Sequence, residues 1–137
     1  MANYFHPVSH RLHTTERLKS RKEIARLFTP GARSVAAYPI RLIYREAEQR
    51  RGPYPVQVTF VVPKKRFKRA VDRNLLKRRM REAYRQHKPE VAGPQVEASP
   101  GGQSPQLALL VMYTGKEILD YAVIERKLSK LLRRLEK

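Results

Sequence analysis

The sequence predicts a single α+β domain in the order α-β-β-β-α-β-α, with helices packed on a mixed sheet. Three observations predict it. Residues 56–62, VQVTFVV, alternate in polarity as a half-buried strand does; residues 69–87 carry a helical-period segment with one apolar and one cationic half; and residues 107–113, LALLVMY, are followed by leucines at helical spacing. A length of 137 residues suits one domain, and 41% hydrophobic residues suffice for a modest core.

Each element has its own signal. Residues 1–15 show no periodicity and read as a flexible arm, leaving residues 16–137 as the domain. Ser20 followed by Glu23 forms a candidate capping box, and Leu18, Ile24, Leu27 and Phe28 share one helical face until Pro30-Gly31 stops it. The run SVAAYPIRLIYR at 34–45 is rich in apolar and β-branched residues, and Pro39 marks either an edge or a break between two strands. A charged turn, EAEQRRGPYP, leads into the alternating strand, in which Val56, Val58, Phe60 and Val62 point one way until Pro63 ends it. Residues 88–106 are dominated by Pro, Gly, Ser and Gln and read as a mobile loop. LALLVMY is apolar on both faces and reads as an interior strand, after which Asp120 can cap a last helix carrying Ile124, Leu128, Leu131, Leu132 and Leu135.

The charge balance points to the kind of partner. Thirty Lys and Arg against twelve Asp and Glu give a formal charge of +18, which speaks of an anionic partner and not of a fold. In the helix at 69–87, Arg69, Arg73, Lys77, Arg81 and Arg85 form an i, i+4 row with Asn74 and Arg78 beside it, while Val71, Leu75, Leu76, Met80 and Ala83 occupy the other arc. Like charges at that spacing repel by a few tenths of a kcal/mol per pair, so something outside the helix must offset them, and phosphate does so. A membrane-surface helix would need its apolar arc for lipid, whereas here the core needs it. Tyr84 falls on the cationic half of the wheel; Asp72 and Glu82 fall on the other, within reach of Arg79.

Several chemistries are excluded or unsupported. With no cysteine there is neither a disulfide scaffold nor a thiolate metal site. No apolar run has membrane-spanning length and the N-terminus lacks a secretory core, so a soluble cytoplasmic protein is expected. A protein nuclease needs a positioned acid and base or carboxylates that hold metal. Neither arrangement is visible: His6, His10 and His13 lie in the irregular arm, His87 ends the basic helix where a cation meets the dipole, and Gly101-Gly102 lies in the polar loop. Phe28, Tyr44, Phe67 and Tyr84 lie near basic segments and could stack on bases or simply fill the core.

The order of elements together with PKKRFKRAVDRNLLKRRMREAYR resembles the protein subunit of bacterial ribonuclease P. Arg73 and Asn74 match the first two positions of that family's Arg-Asn-Arg motif, Leu75 departs from the third, and Lys77, Arg78 and Arg81 match its later basic positions. Lys64 and Lys65 match the paired lysines before the helix, and Arg69 extends the row. The resemblance implies a fold similar to the second domain of a small-subunit ribosomal protein, with a left-handed β-α-β crossover. It implies that this helix meets ribonuclease P RNA, and that a cleft between the first helix and the sheet holds the 5′ leader of precursor tRNA. Phe28 matches one cleft aromatic and Ile24 replaces the other. It further implies one protein per catalytic RNA, catalysis and Mg2+ in the RNA subunit, and no cofactor, metal or membrane bound by the protein itself. Charge alone leaves open a structural RNA-binding protein, such as a ribosomal protein, and a DNA-binding module with the helix in the major groove.

Overall fold

The computed structural model describes residue 12, residues 16–88 and residues 106–135. The arm apart from Leu12 and Glu16's immediate neighbourhood, the three arm histidines, and the Pro/Gly-rich loop between Lys88 and Gln106 lie outside the described residues. The elements are α1 (Arg21–Arg26), β1 (Arg33–Ala37), β2 (Ile40–Glu46), β3 (Val56–Val61), α2 (Ala70–His87), β4 (Leu107–Tyr113) and α3 (Tyr121–Leu135), the order the sequence predicts. Pro39 is a break: it sits in a cis peptide after Tyr38, between β1 and β2, which pair antiparallel from Ala37↔Ile40 to Arg33↔Tyr44.

The strands form one mixed sheet in the order β1-β2-β4-β3, with β2 and β4 antiparallel and β3 and β4 parallel. The apolar run Leu107–Tyr113 is therefore interior, and that position explains why it has no polar face. Period-2 alternation divides the sheet's side chains between two layers. On one face Ile40, Leu42, Val56, Val58, Leu109, Val111 and Tyr113 meet Leu76, Met80, Ala83 and Tyr84 of α2 and Ile124, Leu128, Leu131 and Leu132 of α3. Leu12 packs against the same core.

The other face is covered only in part. Leu18 and Leu27 press on Ala108 and Leu110, with Ile24, Ile43, Val61 and Met112 partly buried around them. A six-residue helix is about 9 Å long, whereas four strands about 4.8 Å apart span roughly 14 Å. The remainder stays open, and Ser34, Ala36 and Arg41, which share this face with Ile43, are exposed. The result is an open strip of sheet beside α1. β3 is not half-buried along its whole length as the alternation predicts. Gln57 is buried too, because the segment entering α1 runs alongside β3, with Leu18 N donating to Val58 O at 2.8 Å.

α1 is held in place by a carboxylate. Only half of the expected capping box forms: Ser20 Oγ accepts from Glu23 N at 3.2 Å. The Glu23 side chain turns inward instead of back to Ser20, where it meets Arg26 at 2.7 Å, Arg51 at 3.0 Å and the Glu48 amide at 2.8 Å. Burial alone would raise the pKa of Glu23; the Arg51, Arg26 and backbone donors outweigh it and hold that carboxyl below the usual range. Phe28 does not join the buried face predicted for α1. It lies beyond the helix and is 61% exposed.

Candidate nucleic-acid interface

The cationic surface is assembled from the turn after β3 upward. Pro63 O accepts from the amides of Arg66 and Phe67, and the buried Phe67 ring packs edge-on against Tyr113 at 5.7 Å. That anchor leaves Lys64 and Lys65 exposed on a fixed turn. Arg69 is the extended N-cap residue of α2 and is exposed, and Arg73 folds back to donate to the carbonyls of Phe67 and Lys68 at 2.8 and 2.9 Å. Arg73 thus ties the helix to the lysine turn. Asn74 and Arg78 are exposed, while Lys77 and Arg81 are half-buried along the same side.

Arg81 shows how concentrated the charge is. Partial burial, then the neighbouring Arg17 and Arg78, lower its pKa. Arg17 arrives from a segment remote in sequence, bridged in parallel to Val58 of β3. A buried ion pair holds that segment down: Lys88 Nζ donates to both Glu16 oxygens at 2.8 and 2.9 Å. The site therefore includes Arg17, which no local pattern singles out. Only the register against β3 reveals it.

Three wheel assignments are corrected. Tyr84 is not on the cationic side: it is 1% exposed, packs edge-on against Phe60 at 5.9 Å, and burial, then the Glu16 charge, push its phenol pKa up. Val71 is not core but 61% exposed, because the buried stripe of α2 begins only at Leu76. Arg79 does not pair with Asp72 or Glu82. It donates to Leu119 O at 2.7 Å, while Glu82 takes Arg85 at 2.5 Å and Gln86 at 3.1 Å. His87 lies 3.2 Å from Glu125.

Of the aromatics proposed for stacking, Phe67 and Tyr84 belong to the core and Phe28 is exposed to solvent just past the end of α1. Tyr44 is half-buried and lines a cavity of about 500 Å³ with Arg26, Arg33 and Arg45. Ile24 packs against the α1-side cluster, so it supplies apolar contact and no ring face. Among the described residues no group of three or more His, Cys, Asp or Glu is placed to hold a metal ion, and no helix is long and apolar enough to cross a membrane.

A family model described as Ribonuclease P matches residues 12–136. The chain belongs to the ribonuclease P protein family. It is similar to a ribonuclease P protein component of Porphyromonas gingivalis, 34% identical over 94% of this chain and 89% of that protein. One from Chlorobium phaeobacteroides is 34% identical over 85% and 82% of the two chains. The fold resembles the RNase P protein from Thermotoga maritima, with TM-score 0.65 at 24% identity, covering 88% of this chain and 98% of that one. It also resembles Staphylococcus aureus RNase P protein, with TM-score 0.64 at 19% identity over 87% and 94%. Leu75 is half-buried on α2, and its neighbours Asn74 and Arg78 are exposed.

Proposed function

We propose that this chain is the protein component of ribonuclease P and acts in tRNA 5′-end maturation by binding RNA, not by breaking bonds itself. The observation that carries the reading is the cluster of Arg17, Arg78 and Arg81 on one side of α2, flanked by Lys77, Asn74 and the Lys64-Lys65 turn, in a chain of this family. The cationic members of this set, with Arg69 and Arg73, neutralise phosphates of ribonuclease P RNA, one protein per RNA, while Asn74 hydrogen-bonds the RNA and Arg73 also fixes the helix against the turn. The cleft between α1 and the sheet holds the single-stranded leader of precursor tRNA, with Phe28 offering a ring and Ile24 an apolar wall. In this reading the RNA subunit holds Mg2+ and performs the hydrolysis, the protein binds no cofactor, and the complex works in the cytoplasm. The family match argues against a ribosomal protein or a DNA-binding module.

Reconstitution tests it. Adding the protein to ribonuclease P RNA at physiological magnesium should raise precursor tRNA cleavage and favour leader-bearing over mature tRNA; no gain in either would reject the proposal. Phe28→Ala should weaken precursor binding by the complex about tenfold, since base stacking on an aromatic ring contributes roughly 1–3 kcal/mol. Its folding stability should change by less than about 0.5 kcal/mol, because the ring is 61% exposed. Equal affinity of the two complexes for precursor would remove Phe28 from the leader site.

A further inference from the structure

The terminal helix carries a second cationic face that the reading of α2 leaves unused. Arg126, Lys130 and Arg134 follow one another at i, i+4 along α3, with Arg133 beside them; all four are exposed, and the half-buried Lys127 flanks the row. At about 1.5 Å rise per residue the three cations stand roughly 6 Å apart over about 12 Å. Successive phosphates along one strand present anions on a comparable scale.

This face is separated from the α2 face by a neutralised seam. On the face that both helices share, α2 lies over β3 and α3 lies toward the other edge, over β1 and β2. Where the two helices touch, Glu82 is taken by Arg85 and Gln86, His87 meets Glu125, and Arg79 is spent on Leu119 O. Glu125 is the only carboxylate on α3 among the described residues, and it faces this seam. Glu82 and Glu125 thus meet their basic partners between the helices, while the row from Arg126 to Arg134 lies on the far flank of α3 from Arg17, Arg78 and Arg81.

We propose that the exposed face of α3 is a second RNA-binding surface, gripping a phosphodiester backbone other than the one held by α2, so that the protein bridges two RNA segments. This rests on the reading that the chain binds RNA and adds where. A lipid surface is disfavoured because a helix lying in a membrane buries large apolar residues, whereas Ile124, Leu128, Leu131 and Leu132 of α3 are all consumed by the core. A protein partner is disfavoured because the buried centre of a protein interface is apolar, whereas the large apolar side chains of α3 are consumed by the core. The backbone belongs either to ribonuclease P RNA or to precursor tRNA, and these two are separated by measurement.

The test compares two full-length variants with the parent protein: Arg126→Gln/Lys130→Gln/Arg134→Gln on α3, and Lys77→Ala/Arg78→Ala/Arg81→Ala on α2. Circular dichroism and thermal melting confirm that each is folded. Binding is followed over a salt series with ribonuclease P RNA in one arm and precursor tRNA, added to the preassembled complex, in the other. The α3 variant should flatten the salt dependence by about 2–3 units in one arm, slightly under one per lost contact, and that arm identifies the RNA. Unchanged affinity and slope in both arms, while the α2 variant loses binding, would overturn the α3 proposal and leave the functional reading standing. If neither variant loses binding, the functional reading itself fails. Photo-crosslinkers placed at positions 78 and 130 should mark different RNA segments; marking the same segment would overturn the bridging claim.

Discussion

Lys77→Ala, Arg78→Ala and Arg81→Ala combined should weaken binding of ribonuclease P RNA about a hundredfold at roughly 0.15 M salt and reduce the salt slope by about 2–3 units. The estimate follows from counterion release, in which each phosphate contact contributes about 0.9 to the slope and hence roughly fivefold in affinity at that salt. The effect should exceed that of three unrelated surface cations because Arg81 is already strained electrostatically: partial burial, Arg17 and Arg78 all disfavour its charge in the free protein. Bound RNA would relieve that repulsion. Folding should be little affected, since alanine suits a helix interior and none of the three side chains belongs to the core. Filter binding across a salt series measures both quantities, and a triple variant with the parent slope would contradict the assignment.

Glu23→Ala should destabilise the fold by about 3 kcal/mol, the usual scale for breaking a buried ion pair, and lower the melting temperature by roughly 10 °C. The Glu23 side chain is 1% exposed and holds Arg26, Arg51 and the amides of Glu48 and Gln49. Its loss strands those donors and frees α1 from the turn before β3, so the cleft wall carrying Ile24 and Phe28 should loosen as well. The pH dependence has a definite sign. The folded-state pKa of Glu23 lies below its unfolded value, so its contribution is present above about pH 4.3 and is lost as pH falls through the folded pKa. Urea denaturation should therefore show a gap between the parent and Glu23→Gln at pH 7 that narrows by about pH 3. A gap of equal size at both would show that the carboxylate charge is not what holds α1.

The element order was legible because each segment has one dominant period: two for residues 56–62, near 3.6 for α2 and α3, and none across the apolar run that becomes β4. Fine placement failed where tertiary partners intervene. Tyr84 shares a wheel sector with arginines, yet it lies four residues after Met80 and eight after Leu76, and in a helix so rich in charge the boundary of the buried stripe is blurred. Val71 has the right polarity for the core but stands in a first turn that precedes that stripe. Ser20 and Glu23 satisfy a local capping rule, but Glu23 finds stronger donors at Arg51, Glu48 and Gln49, which no local rule includes. The same reason hides Arg17: its place beside Arg81 depends on pairing with Val58 and on the Glu16–Lys88 ion pair. The open strip of sheet beside α1 follows from the shortness of the helix against the width of the sheet, a comparison available only once the strand order is known. The α3 row of Arg126, Lys130 and Arg134 has the same i, i+4 spacing as the α2 row and lies on the same helix as the buried Leu128, Leu131 and Leu132.

The division of labour between a gripping protein and a cleaving RNA is tested most directly with polypeptide stripped of all nucleic acid. Incubated with precursor tRNA and Mg2+, it should leave the substrate intact, and cleavage at the mature 5′ end should begin only when ribonuclease P RNA is added. Cleavage at that position by the polypeptide alone would contradict the account.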